Sequence, residues 1–135
     1  MGNRITTVLD ALQTAAQAVT AIKAVVRGKL ALHPDVSPTV FLNPDRLERR
    51  AGEEWSIMVE ISIITTAEGT EADEQVSAAI AALDAALMTA AVRVAAGGQV
   101  YLPTWQYLHN IKPGAGSLVG AVGELTVKVI GALTT

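Results

Sequence analysis

Cysteine is absent from this 135-residue chain. Disulfides, thiolate nucleophiles and cysteine-ligated metals are thereby excluded. Histidine is nearly absent: His33 and His109 lie far apart, and His33 precedes Pro34. Nothing around them has the ligand spacing of a metal site. Charge is scarce as well, at 17% of residues, against about 25% in ordinary soluble domains. Basic charge is scarcer than acidic, 10 Lys and Arg against 13 Asp and Glu, for a net −3. Proteins that hold nucleic acid concentrate Lys and Arg against the phosphates. Here the only cluster, Arg46, Arg49 and Arg50, is interleaved with Asp45, Glu48, Glu53 and Glu54. That balance excludes specific nucleic-acid binding as the main role. Long apolar runs are missing too. The greasy N-terminal segment is interrupted by Asp10, Gln13, Gln17 and Lys23, and so lacks the roughly 20 apolar residues of a membrane span.

What the chain does have is small apolar side chains. Hydrophobic residues make up 50%, yet aromatics only 4%. Alanine and valine dominate, and they permit close packing between elements. The length is that of one domain, residues 1–135, with a real core. More apolar surface than one small core hides points to interfaces shared between copies.

The first pattern runs from Ile5 to Val26. Ile5, Val8, Leu9, Leu12, Ala16, Val19, Ile22 and Val26 recur at spacings of three and four, which predicts an amphipathic helix. Asn3 is placed to cap it and Gly28 to end it. Pro34, Pro38 and Pro44 exclude a helix interior next. Thr39 to Leu42 is expected as one short strand, and Asn43 to Glu54 as a charged connection. Trp55 to Thr65 then alternates, with Trp55, Ile57, Val59, Ile61 and Ile63 on one face. Ser56, Met58, Glu60, Ser62 and Ile64 form the other, expected as the wetter one. A second helix is predicted from about Glu71, with Thr70 as N-cap and acids in its first turn. It is expected to stop between Ala90 and Gly97–Gly98. Two further strands follow, one around Gln99–Leu108 and broken at Pro103, the other within Ala121–Leu133. The fold class is therefore α+β: about four mostly antiparallel strands packed against two helices, in the order α-β-β-α-β-β.

Catalytic signatures are weak. Gly114, Gly116 and Gly120 miss the dinucleotide fingerprint by one residue, and no Lys-Ser or Lys-Thr follows for a P-loop. The segment reads as a loop. Glu53 and Glu54 are neighbours and point oppositely on extended chain. Glu60 belongs to the polar face. No acid–base pair, metal or cofactor is implied, and the chain is not expected to be an enzyme. Trp55, Trp105 and Tyr107 read as core or interface anchors.

Taken together, the Pro-flanked strand "PTVFLNP", the charged connection, the long Trp-initiated strand "EWSIMVEISII", the acid-capped helix and the Gly-containing C-terminal strand resemble the tail-terminator, or tail-completion, proteins of long-tailed bacteriophages. The likeness is one of pattern and size over most of the chain. It implies a virion subunit that forms a ring, hexameric in that family, on the head-proximal end of the tail. Such a ring stops polymerisation of the tail tube protein and meets the head-tail connector or neck. A phage neck or head-closure protein is the neighbouring reading. A small ligand-binding module or enzyme is the rival from another class, and it would need convergent polar residues. The surfaces expected to meet partners are the arm bearing Arg46, Arg49, Arg50, Glu53 and Trp55, and the loop at Gly114 and Gly116. DNA would pass through the ring, so an acidic lumen is expected, with Glu71, Asp73 and Glu74 as candidates.

Overall fold

A computed structural model describes residues 3–28, 37–50, 52–111 and 118–133. The architecture of the described residues is α+β, with three helices on one face of a six-stranded mixed sheet. The chain order is α1 Arg4–Gln17, β1 Ala24–Arg27, β2 Thr39–Arg49, β3 Glu54–Thr65, α2 Gly69–Leu87, α3 Ala90–Ala96, β4 Gln99–Tyr101, β5 Gln106–Ile111 and β6 Leu118–Ile130. The expected four strands and two helices thus undercount both.

α1 starts as predicted. Asn3 Oδ1 accepts the backbone N–H of Ile5 at 2.9 Å and of Thr6 at 3.2 Å, satisfying donors that have no partner inside the helix. It ends at Gln17, not at Val26. Val19 and Ile22 stay buried because turns, closed by Val19 N–H to Ala16 and Ile22 N–H to Val19, keep them on the same side. The β-branched Val25 and Val26 then join a strand, because β2 offers an edge: β1 pairs in parallel with Thr39 to Leu42.

β2 is the second departure. The predicted connection continues as strand to Arg49 and pairs with β3 throughout. Pro44 is tolerated because the register shifts between it and Arg46, and a bulge is where a residue without an N–H fits. β3 and β6 are the central strands, antiparallel in unbroken register from Glu54–Ile130 to Thr65–Val119. β4 and β5 both pair with the outer edge of β6, on either side of the bend at Pro103.

α2 begins at Gly69 with Glu68 as N-cap, and no side chain caps it, so Thr70 is inside the helix rather than its cap. It stops at Leu87, where Thr89 Oγ1 accepts the Val92 N–H and starts α3. α2 and α3 meet at a 70° bend. Gly97, at φ +76°, ends α3 in the left-handed conformation that only glycine takes readily.

The core lies between the helices and the odd-numbered face of β3. Ile57, Val59, Ile61 and Ile63 pack there with Leu125 and Val127 of β6, Leu12 of α1 and Leu83 of α2. Each such side chain contributes roughly 1.5–3 kcal/mol by leaving water. At the far end the same face turns polar. Thr65 is fully buried, its hydroxyl bonding Gln75 and Ser37 and accepting the Ala67 N–H at 3.1 Å.

Candidate functional site

The even-numbered face holds the charged arm. It was expected to be wet, yet Ser56, Met58, Ser62 and Ile64 are all buried. Part of the cover is a chain of ion pairs. Arg50 reaches Glu48 at 3.6 Å, Glu48 lies 3.8 Å from Arg46, and Arg46 reaches Glu124 at 3.2 Å. Arg46 is on β2 and Glu124 on β6, so that last contact spans β3, the strand between them. In register, Arg46 is opposite Met58 and Glu48 opposite Ser56, which places the long side chains over those residues. Arg50 Nε also donates to Ser56 Oγ at 3.4 Å.

The three arginines predicted to meet partners are therefore already engaged within the subunit. Arg49, the third, stacks over the Trp55 ring at 4.5 Å, worth roughly 0.5–1 kcal/mol at an exposed site. Exposed ion pairs contribute about 0–1 kcal/mol each, so the network orders the arm more than it stabilises the fold. Glu53 is exposed at the hairpin turn, beside Gly52 at φ +71°. Its carbonyl accepts the Gly131 N–H at 2.8 Å. Beyond β1, the outer edge of β2 from Asn43 to Arg49 has no strand beside it among the described residues. Among the described residues that edge carries a bulge, a proline and charges, the usual protection against indiscriminate pairing.

Glu124 was missed as a site residue. It stands directly across from Glu60 in the β3–β6 ladder, a like-charge pairing that costs stability. A hydrogen bond with Asp45, then partial burial, pushes its carboxyl above the usual carboxylate range, against the opposing pull of Arg46. Alternation places Glu60 and Glu124 on polar faces; only the register puts them opposite each other. Among the described residues no three acids or histidines are grouped to hold a metal ion.

The other predicted positions are dispersed. Glu71, Asp73 and Glu74 are exposed in the first turns of α2, at the opposite end of β3 from the arm. Trp105, just before β5, donates to Asp84 at 3.2 Å, and Tyr107 of β5 bonds Ser77, so both tie this segment to α2. Gly114, Gly116 and His33 lie outside the described residues, and His109 is on β5.

One surface had no counterpart in the sequence reading. A groove of 660 Å³ runs between α1 and the α2–α3 bend, walled by Thr7, Ala15, Ala18, Ala86, Ala91 and Ala95. Its only charged lining residue among those described, Asp10, is held by Arg27 at 2.9 Å. The signal in the sequence was alanine and threonine at outward helix positions, which periodicity alone counts as neutral.

Compared with known proteins, the sequence matches no protein-family model and no curated protein.

Proposed function

We propose that this chain is a structural subunit of a phage tail, a ring-former of the tail-terminator kind that caps the tube and offers the surface for head joining. The observation that carries the reading is the β2–β3 arm, a hairpin of strands 11 and 12 residues long, about twice the usual strand of roughly 5–6. Its charges are held in place by one another and by Ser56. Its outer edge is free from Asn43 to Arg49 among the described residues. A charge-studded arm with that edge unpaired among the described residues suits docking onto a neighbouring subunit. Head-to-tail contacts of that kind close into rings when the rotation per subunit allows. The partners in this reading are further copies, the tail tube protein and the head-tail connector or neck. Duplex DNA passes through the lumen without being bound, which the net charge of −3 favours.

Negative-stain imaging of the purified protein, alone and mixed with tail tubes, tests this. Rings, alone or on tube ends, are expected. Replacing Arg46→Glu and Arg50→Glu together is expected to abolish ring formation or tube capping while circular dichroism stays unchanged. A strictly monomeric protein that ignores tubes would sink the reading. So would tight, salt-sensitive duplex binding at about 0.15 M salt, where weak attractions are screened.

A further inference from the structure

Charge is divided between the two ends of the sheet. No lysine or arginine occurs between Arg50 and Arg93, and α2 begins inside that stretch. Glu68, Glu71, Asp73 and Glu74 are all exposed where the chain leaves β3. The helix dipole favours an acid in the first turn, but only Glu71 is there. Glu68, Glu71 and Glu74 form no ion pair among the described residues. Glu71 has one long contact, from Gln75 Nε2 at 3.5 Å. Lys23 is exposed at the same end of the sheet, but it precedes the edge strand β1, two strands from β3.

At the other end lies a cleft of 390 Å³. Its lining includes Arg4, Lys128, Tyr101, Ile130 and Glu54, two cations against one carboxylate. Arg4 is fixed by donating from Nε to the Ala132 carbonyl at 3.3 Å and from Nη2 to that of Ile130 at 2.9 Å. A Cβ at Gly97 would stand 3.4 Å from Arg4 Nη1, so glycine leaves that side of the guanidinium open. The Lys128 ammonium lies 5.0 Å from the centre of the Tyr101 ring. Neither cation pairs with a carboxylate among the described residues. Tyr101 and Ile130 are 47% and 74% exposed, large apolar side chains of the kind that interfaces bury. Lys128 is opposite Ser56, and α2 follows Thr65. At about 3.3 Å per strand residue the cleft and the start of α2 are roughly 30 Å apart.

Cations at one end and acids at the other make the subunit its own complement. The two ends are too far apart to meet within one copy, but a second copy set end to end brings them together. Such a contact is head-to-tail and leaves one acidic and one basic end for further copies. A small anion would satisfy the cations and leave Tyr101 and Ile130 in water. The cleft also adjoins the arm, because the Gly131 N–H bonds the Glu53 carbonyl at the hairpin turn. We propose that the start of α2 of one subunit docks in the Arg4–Lys128 cleft of the next, with Glu71 and Glu74 as partners of the two cations. Three residues apart, these acids share one face of the helix and reach the cleft together. The contact rests on the head-to-tail association proposed above and names the charges that direct it.

Sedimentation equilibrium of the full chain at micromolar concentration tests the contact. Species heavier than two 14.0 kDa chains are expected. Association should weaken as salt rises to about 1 M, where the screening length falls to about 3 Å. Lys128→Glu and Glu74→Lys should each weaken it about tenfold or more, because like charges then face each other. Arg4 is left unchanged, since it also holds the end of β6. Lys128→Glu and Glu74→Lys combined in one chain should restore association, which damage to the fold by either change would not do. Oligomers indifferent to both single reversals, or not restored by the pair, would overturn the proposal. So would a species that stops at two copies, which would mean reciprocal pairing. Loss of tube capping in Lys128→Glu with self-association unchanged would give the cleft to the tube and overturn it too. A monomer throughout the range would overturn this contact, while rings on tail tubes would still carry the reading above. Oligomers restored by the charge swap that ignore tubes would leave the contact standing and sink that reading.

Discussion

The two faces of β3 are buried to nearly the same degree by different means. On the odd face, Ile57, Val59, Ile61 and Ile63 are each no more than 1% exposed, under a layer of helices. On the even face, Ser56, Met58, Ser62 and Ile64 are no more than 8% exposed. There the described cover includes ion-paired side chains reaching across from β2 and β6. Low exposure therefore does not identify a core. The odd face excludes water with close-packed hydrocarbon, where every methylene lost leaves a hole. Over Ser56 and Met58 the described cover is polar and ion-paired.

The contrast predicts unequal costs for adjacent residues. Ile61→Ala is expected to destabilise by about 2–5 kcal/mol, because the surrounding helices cannot collapse into the cavity. Its neighbour Ser62→Ala should cost about 0.5 kcal/mol or less. Denaturant midpoints of the pair measure this directly, and equal losses would erase the distinction.

The polar end of the helical face sharpens the comparison. Thr65→Val keeps the shape but strips the hydroxyl that joins Ser37, Gln75 and the Ala67 N–H. A loss of roughly 1–3 kcal/mol is expected from those unsatisfied partners, again read from denaturant midpoints. A smaller change would mean that water replaces the hydroxyl. Gly98→Ala probes close approach in the same range: its Cβ would stand 2.1 Å from the Lys128 carbonyl oxygen. That backbone must move, and overpacking of this kind costs about 1–3 kcal/mol. Thermal melts that show no loss would place the contact elsewhere.

The smallest effect belongs to the even face and depends on pH. The Glu124 carboxyl is held above its ordinary range, chiefly by its hydrogen bond with Asp45 and then by burial. A raised folded-state value means that the folded protein holds this proton more tightly than the unfolded chain. The resulting stabilisation is complete below the unfolded value and fades as pH rises through the folded one. Wild-type stability relative to Glu124→Gln should accordingly fall as pH rises above the ordinary glutamate value of about 4.3. A relative stability that grows over that window would show that Arg46, not Asp45, governs the site.

Much of this contrast was legible in advance, but not its cause. The alternation of β3 identified the face bearing Ile57 to Ile63 as the core. In β6 Leu125, Val127 and Val129 alternate in the same way, and all three are buried. Asn3 was readable as a cap because capping is a contact between residues two and three apart. The charged stretch Asn43 to Glu54 reads as a connection, since charge density resembles a loop when no partner strand is visible. Two of the arginines on the arm, Arg46 and Arg50, pair with Glu48 and Glu124, and Arg49 lies over Trp55.

What the sequence determined alone is local: which residues alternate, where a helix begins, which chemistry cysteine-free composition forbids. Tertiary structure decided the rest. Ala24 to Arg27 is strand because β2 presents an edge at that point. Glu60 faces Glu124 because β6 pairs with β3 across more than fifty residues of chain. The physical reason is the same in each case. A strand completes its backbone hydrogen bonds only with a neighbour, and which neighbour arrives is settled by the packing of the whole domain.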